Sequence, residues 1–144
     1  MVNKIKYRAH EILDKVAEAT TRADKIKILQ KERNNWAMKD ILRGTFDDAV
    51  QWLLPGGSVP YEPAPLDSYP TEWAQHNKKL ALFTKGGTGE QMYAVKREKL
   101  FLDIIETVHP RDAELIVGMI NKKMPIKGIT KKLTQEAFPD LILK

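Results

Sequence analysis

Residues 110–139 read PRDAELIVGMINKKMPIKGITKKLTQEAFP and decide the fold as helix, basic turn and helix. Pro110 suits a first helical turn, where its missing N–H would have no partner. Pro125 disfavours helix at the residue before it and predicts where the first helix ends. Gly128 can adopt positive φ, so a second helix opens near Thr130 and stops at the closing proline. The apolar residues at helical spacing are Leu115, Ile116, Met119, Ile120, Leu133, Ala137 and Phe138.

Five lysines and no acidic residue lie between Met119 and Gln135, and we call residues 122–132 the basic turn. A glycine turn that leads into a helix N-terminus favours an anion, because free N–H groups and the helix dipole point toward it. The alternative is a solvated, lysine-rich turn between two packing helices. The candidate binding residues are Lys122, Lys123, Lys127, Gly128, Thr130, Lys131 and Lys132.

Length and composition predict one globular domain over residues 1–144, with 42% hydrophobic and 30% charged residues. No apolar run approaches the ~18 residues that span a bilayer, and the charged N-terminus is no secretory signal. Without cysteine, the sequence excludes disulfides, thiolate metal sites and cysteine nucleophiles. We therefore expect a cytoplasmic protein that makes no membrane contact.

Charge is distributed unevenly along the chain. Residues 1–44 carry a net charge of +5, 45–77 of −5, 78–109 of +2 and 110–144 of +3. A basic front and back around an acidic middle predict a polyanionic partner that meets one face of the protein.

Helical spacing and helix-start signals predict an all-α domain of about eight helices. Gly44 is expected to follow the third helix directly, and Thr45 with Asp48 to cap the fourth. A proline-rich stretch at 55–70 predicts a loop, most simply a stiff connection. The helices before Pro110 are predicted near 4–19, 21–33, 36–43, 46–54, 72–83 and 89–108. The predicted core includes Leu13, Val16, Leu29, Trp36, Leu42, Val50, Leu53, Leu100, Ile104, Leu115, Met119 and Leu133, with Val95 also facing inward.

No catalytic constellation is visible in the sequence. His10, His76 and His109 lie far apart without partner motifs, and no carboxylate cluster has metal-ligand spacing. The glycine-rich segment TKGGTGEQ at 84–91 lacks the Lys-Ser/Thr of a phosphate loop and predicts a helix break. We expect no catalytic residue, no metal, no cofactor and no enzymatic activity.

Both ends of the chain follow one family pattern. Residues 12–55 read ILDKVAEATTRADKIKILQKERNNWAMKDILRGTFDDAVQWLLP, and 115–142 read LIVGMINKKMPIKGITKKLTQEAFPDLI. Basic residues end a helix at Lys123, a glycine follows five residues later, and Phe138-Pro139 closes the next helix. In these features the chain resembles the N-terminal, all-helical DNA-binding domain of ATP-dependent DNA ligases, especially those of T-even-type phages.

The resemblance implies which residues face the DNA backbone: Lys122, Lys123, Lys127, Gly128 and Thr130. Pro125 departs from the family pattern, and lysine replaces the arginine of cellular ligases, which removes the bidentate fork. The Lys-x-Asp-Gly nucleotide-attachment motif is absent and the sequence ends at Lys144. We therefore expect a stand-alone domain that is not adenylated.

Together these features predict a non-enzymatic viral protein that binds double-stranded DNA without sequence preference. The basic turn would grip the duplex backbone, so that most affinity comes from phosphate neutralisation. The resemblance implies a bacteriophage protein in the cytoplasm of the infected bacterial host cell, accessory to phage DNA ligation, replication or repair.

The main alternative is a protein-interaction module that keeps the ligase-domain fold but binds a phage or host protein. A polymerase or other replication or transcription protein, or a virion component, would be the partner. The candidate interface is the acidic 45–77 segment, with Tyr61, Tyr69 and Trp73 expected at the surface.

A second alternative treats 110–123 and 129–138 as a helix-turn-helix. Thr130, Lys131 and Thr134 would then reach base edges in the major groove. The lysine-rich composition favours phosphate contact over base readout, and the break between the helices is longer than the usual turn.

Overall fold

The structure, a computed structural model, describes residues 7–55 and 60–141, and within these ranges it forms one compact helical domain. Its α-helices are α1 (Ala9–Glu18), α2 (Arg22–Lys31), α3 (Trp36–Phe46), α4 (Trp73–His76), α5 (Ala94–Ile105), α6 (Pro110–Ile120) and α7 (Lys131–Ala137). Two 3-10 helices lie at Asn77–Leu82 and Thr88–Gln91. An isolated bridge between Trp52 and Thr84 is the only β pairing in the described ranges. The predicted all-α class is confirmed.

None of the helices in the described ranges has the length and apolar character needed to cross a membrane. Ile5, Ile142 and residues 56–59 of the predicted loop lie outside the described residues.

Local signals fix where several helices begin. Thr21, Asn35 and Thr130 each accept a hydrogen bond from the backbone N–H three residues later, at 3.0–3.1 Å. Each bond satisfies one of the N–H groups that a helix start leaves without an intrahelical acceptor. Pro110 occupies the first turn of α6, as predicted.

Helices α1, α3 and α6 pack against one another and form the centre of the domain, while α5 covers α6. The predicted core residues that are buried here are Leu13, Val16, Leu29, Leu42, Ile104, Leu115, Met119 and Leu133. Trp73 also fills the core, and its indole N–H donates to the Ala37 carbonyl at 2.9 Å.

Other residues predicted in the core lie nearer the surface. Trp36 is 53% exposed, and Val95 is 81% exposed in the first turn of α5. Val50, Leu53 and Leu100 are half-buried. Helical spacing predicts a stripe of apolar residues, but it does not show whether a neighbouring element covers the end of that stripe.

The predicted helix at 46–54 is not formed. Instead, α3 continues past Gly44, because glycine is needed there for close packing and not for a turn. A Cβ atom on Gly44 would lie 2.5 Å from the Met119 sulfur. The chain then extends, and residues 51–53 form two backbone hydrogen bonds with 83–85, at 2.7 and 2.8 Å.

The predicted helices at 72–83 and 89–108 are shorter than expected. The first becomes α4 followed by a 3-10 helix, and the second begins only at Ala94. Gly87 and Gly89 lie so close to preceding backbone carbonyls that a side chain on either would clash. The glycine-rich segment therefore packs tightly against the 3-10 helix before it.

Helix α2 packs on α1 and α7, and so places α7 within the domain. The Arg22 guanidinium contacts the Glu136 carboxylate at 2.7 and 3.1 Å. Gln30 donates to the Ala137 carbonyl at 3.3 Å. The basic turn, which leads into α7, consequently lies beside α2.

Candidate nucleic-acid interface

The backbone of the basic turn is fixed by the way α6 ends. Lys122 N–H donates to the Met119 carbonyl at 3.1 Å, and Lys123 N–H to the Gly118 carbonyl at 2.9 Å. This is the Schellman pattern, which satisfies the last carbonyls of a helix before Pro125 is reached. Lys122 adopts φ 57°, a conformation that glycine usually supplies. A Cβ atom on Gly118 would lie 2.5 Å from the Lys123 oxygen, so the chain turns back tightly.

Lys122 directs its ammonium group toward the protein. Its Nζ donates to the Gly44 carbonyl at 2.9 Å and to the Asp47 carbonyl at 2.8 Å, at the end of α3. Burial lowers the pKa of Lys122, and the charges of Asp47 and Asp48 oppose that shift. Lys122 therefore caps the end of α3, and its ammonium group is not free to make the predicted DNA contact.

Lys131 has a partner at the surface. Its Nζ lies 3.2 Å from an Asp48 carboxylate oxygen, and the Asp48 side chain is 84% exposed. The sequence predicted that Asp48 caps a helix, and this is wrong. Asp48 instead forms an ion pair with Lys131 of the basic turn. A pair this exposed contributes little free energy, so an incoming phosphate could replace it.

Lys123, Lys127 and Lys132 are exposed, and none forms a hydrogen bond or ion pair with the described residues. Lys132 lies close enough to Glu136 to help lower the pKa of that carboxyl, although the Arg22 hydrogen bond is the larger cause. Three cations therefore project from the basic turn without a fixed partner in the described ranges.

A further lysine joins them from α2. Gly128 adopts φ 90°, as the sequence predicted. A Cβ atom built on Gly128 would lie only 3.0 Å from Lys25 Nζ, so the Lys25 ammonium stands directly beside the turn. No spacing in the sequence indicates this contact, because it depends on the packing of α2 against α7.

The start of α7 offers donors beside these charges. Thr130 Oγ1 accepts a hydrogen bond from Leu133 N–H, which leaves the hydroxyl hydrogen free to donate. The N–H groups of Lys131 and Lys132 belong to the first turn and have no intrahelical acceptor. Because α7 is short, lysine charge would have to supply most of the attraction for an anion.

The helix-turn-helix alternative is not supported by this geometry. Thr134 is fully buried, and its hydroxyl donates to the Thr130 carbonyl at 2.9 Å. It cannot reach a base edge without leaving the core.

The aromatic residues of the proposed acidic interface are also less exposed than predicted. Trp73 is 2% exposed and belongs to the core. Tyr61 and Tyr69 are half-buried. The Tyr69 ring packs edge-on against His109 at 5.3 Å, with the Arg8 guanidinium 5.1 Å from the tyrosine centroid. These side chains stabilise the domain, so the acidic segment loses the aromatic anchors that the interface prediction required.

Two of the three histidines, predicted to be isolated, lie together at the opposite end of α6. His10 Nδ1 is 2.8 Å from an oxygen of the buried Asp112, and His10 N–H donates to the same oxygen at 3.0 Å. The His10 and His109 rings stack at 4.2 Å. Among the described residues, no group of three histidines or carboxylates could hold a metal ion. The cluster joins α1 to α6.

A family model matches this sequence. The model of DUF6433, a family of unknown function, matches residues 12–125. No curated protein matches the sequence. The matched region covers most of the helical core and the first part of the basic turn.

Proposed function

The chain belongs to DUF6433, a family of unknown function, and we propose that it binds the backbone of double-stranded DNA through the basic turn. One observation carries this proposal. Lys123, Lys127 and Lys132 project from a turn whose backbone is held by hydrogen bonds, and they have no partner in the described ranges. Lys25 brings a fourth cation to the same place.

Four cations held in one region repel one another, because a Debye length of ~8 Å screens them only partly. A DNA backbone relieves that repulsion and releases the counterions condensed on its phosphates, which is the main source of non-specific affinity. Hydrogen bonds already hold the start of the turn at Lys122 and Lys123, and the Thr130 cap holds its end, which reduces the conformational entropy lost on binding.

The same surface favours backbone contact over base reading. Lysine presents a compact charge without the planar fork that recognises a guanine edge. Contacts of this kind position a protein on DNA but carry no sequence information. We infer a binder without sequence preference, needing neither metal nor cofactor.

The resemblance to the DNA-binding domain of phage ligases supports the same partner and suggests the setting. In that setting the protein is a bacteriophage accessory factor for DNA ligation, replication or repair in the host cytoplasm. A fold of the kind that this resemblance implies would position DNA for another enzyme, and the protein itself would carry out no chemistry.

The test is duplex affinity measured across a series of salt concentrations. Changing Lys123 and Lys127 together to alanine should flatten the slope of log K against log salt by roughly two, since each phosphate contact contributes about 0.9. Affinity should fall alike on duplexes of unrelated sequence.

The matched control changes Lys96 and Lys99 to alanine, which removes the same charge from exposed positions of α5 that have no partner in the described ranges. This variant should keep the parental slope. If both double variants bind as the parent does, the basic turn is not the site and the protein-partner alternative becomes the better one. Equal losses in both would mean that only net charge matters.

A further inference from the structure

A groove at the far end of α7 combines exposed aromatic surface with positive charge. Its volume is about 370 Å³. It lies where the start of α3 meets the segment after α7. The residues that line it are Arg33, Trp36, Lys39, Arg43, Ala137, Phe138, Pro139, Asp140 and Leu141.

Trp36 is the central feature of the groove. It is 53% exposed, whereas Trp73 is buried and Trp52 half-buried. Lys39 Nζ lies 4.2 Å from the Trp36 ring centroid and 5.0 Å from that of Phe138, so the ammonium contacts both aromatic rings. The same ammonium donates to the Arg33 carbonyl at 3.1 Å, so its position is fixed.

The cations of the groove outnumber its acidic residues. Arg33 is exposed, and its guanidinium has no hydrogen bond or ion pair with the described residues. Arg43 is half-exposed, and its Nε lies 3.7 Å from an oxygen of the buried Asp47 carboxylate. Asp140 is the one acidic residue in the lining. The groove therefore favours a ligand that is both planar and negatively charged.

We propose that this groove binds an unpaired nucleotide of a DNA strand, with its base against Trp36 and its phosphate between Arg33 and Arg43. Base–aromatic stacking beside arginine and lysine is how proteins hold single strands without reading sequence. That the ligand is DNA rests on the function proposed above. The site itself is separate, because the groove is lined by the C-terminal end of α7, whereas the basic turn ends in the first turn of that helix.

The size of the groove favours a nucleotide over a protein partner. A stable protein interface buries roughly 800 Å² on each side, usually around several anchors. Here one exposed tryptophan stands in a pocket at the lower end of the volume range typical of small-ligand sites. With duplex on the basic turn, the groove would select DNA that has a free strand nearby, at a nick, flap or end.

The experiment measures binding of a short oligothymidylate by tryptophan fluorescence and by anisotropy of a labelled strand. Trp36→Ala should weaken the oligothymidylate about tenfold, the typical loss for one stacked base. Its duplex affinity should change less than twofold. Trp36→Phe keeps a stacking ring and should stay within about threefold of the parent, while the fluorescence change disappears.

Arg33→Gln gives a second variant that leaves the ring in place. It should lower the salt slope for the oligothymidylate by about 0.7, the contribution of one phosphate on a single strand. Thermal melting of each variant checks that the domain remains folded.

Several results would contradict the proposal that the groove binds a nucleotide. Trp36→Ala could leave single-strand affinity unchanged, or Trp36→Phe could lose as much as Trp36→Ala. An oligoglutamate of equal charge could quench Trp36 while the oligothymidylate does not, which would indicate an acidic peptide. The Lys123/Lys127 variant separates the two proposals. If that variant keeps the parental duplex affinity while Trp36→Ala still lowers the single-strand affinity, the proposed duplex function of the basic turn is wrong. Nucleotide binding in the groove is then still supported.

Discussion

A charged side chain is buried and paired at the N-terminal end of α6, but two others are exposed and unpaired within the described ranges at its C-terminal end. At the N-terminal end, Asp112 is 1% exposed, and both the ring and the backbone N–H of His10 contact it. At the C-terminal end, Lys123 and Lys127 extend into solvent without a partner in the described ranges. Charge that is paired inside the domain stabilises the fold, whereas unpaired charge on a fixed backbone remains available to another molecule.

The same contrast separates two adjacent residues in the basic turn. Lys122 donates to two carbonyls at the end of α3, while Lys123 points to solvent. They have the same side chain, but they differ in backbone conformation and in where the ammonium group lies. Substitutions at these two positions therefore test whether the contacts of a lysine, and not its residue type, decide whether it stabilises the fold or remains available for binding.

The largest effect is expected at the buried end. Asp112→Ala removes the acceptor for both His10 hydrogen bonds, and should lower the free energy of unfolding by about 3 kcal/mol. Urea denaturation measures the loss, with Asp112→Asn as the control because it keeps one acceptor oxygen. Duplex affinity of the folded protein should be unchanged. A loss below about 1 kcal/mol would mean that the pair contributes little to stability.

A smaller loss is expected at Lys122. Lys122→Met keeps the apolar stem but removes the lysine hydrogen bonds from the Gly44 and Asp47 carbonyls, which retain the Trp52 indole N–H and the Val50 N–H as donors. The loss should be about 1 kcal/mol. Lys123→Met is the matched control on the next residue and should be nearly neutral to stability. Equal stabilities of the two variants in chemical denaturation would contradict the capping role of Lys122.

The pH dependence of stability should also depend on the buried end. Burial and the neighbouring His10 lower the pKa of His109, Arg8 acts in the same direction, and Asp112 and Glu11 oppose it. Since the folded state favours the neutral ring, stability is complete above the ordinary histidine pKa near 6.5 and declines as pH falls below it. His76, whose pKa burial also lowers, adds to the decline.

His109→Gln provides the comparison for this effect. It should reduce the difference between the unfolding free energies at pH 7 and pH 5, because the variant has no ring to protonate at that position. At alkaline pH, where the His109 ring is neutral in both the folded and unfolded states, the parent and variant curves should run parallel with a constant offset. Parallel curves over the whole range would show that His109 contributes nothing to the decline.

The parts of the fold that follow from local signals were predictable from the sequence. Thr21 and Thr130 accept hydrogen bonds from N–H groups three residues later, and Pro110 suits a first helical turn through its fixed φ, so each marks a helix start as predicted. The helix expected at 46–54 fails for a non-local reason. Gly44 is used for close packing against Met119, which is distant in sequence, so α3 continues where a glycine usually ends a helix.

The candidate site divides in the same way. The positive φ of Gly128 and the cap at Thr130 were predictable, because both depend on neighbouring residues. The inward direction of Lys122 and the approach of Lys25 were not, since they depend on how α3 and α2 pack. The groove at Trp36 was missed because helical spacing places this residue on an apolar stripe.

The smallest effect on stability is expected from the exposed lysines. The sign of the change in unfolding free energy tests whether the two ends of α6 differ in how charge affects stability. Lys123 and Lys127 have no partner in the described ranges, so changing both to alanine breaks no described bond. Their removal also relieves repulsion from Lys25 and Lys132. The free energy of unfolding should therefore change by less than about 0.5 kcal/mol, with any change toward greater stability at low salt. Added salt should erase the difference, since it screens repulsion between exposed charges. Thermal denaturation at two salt concentrations measures this. A clear loss of stability that persists at high salt would show that these lysines hold the turn together, and would remove the distinction between the two ends of α6.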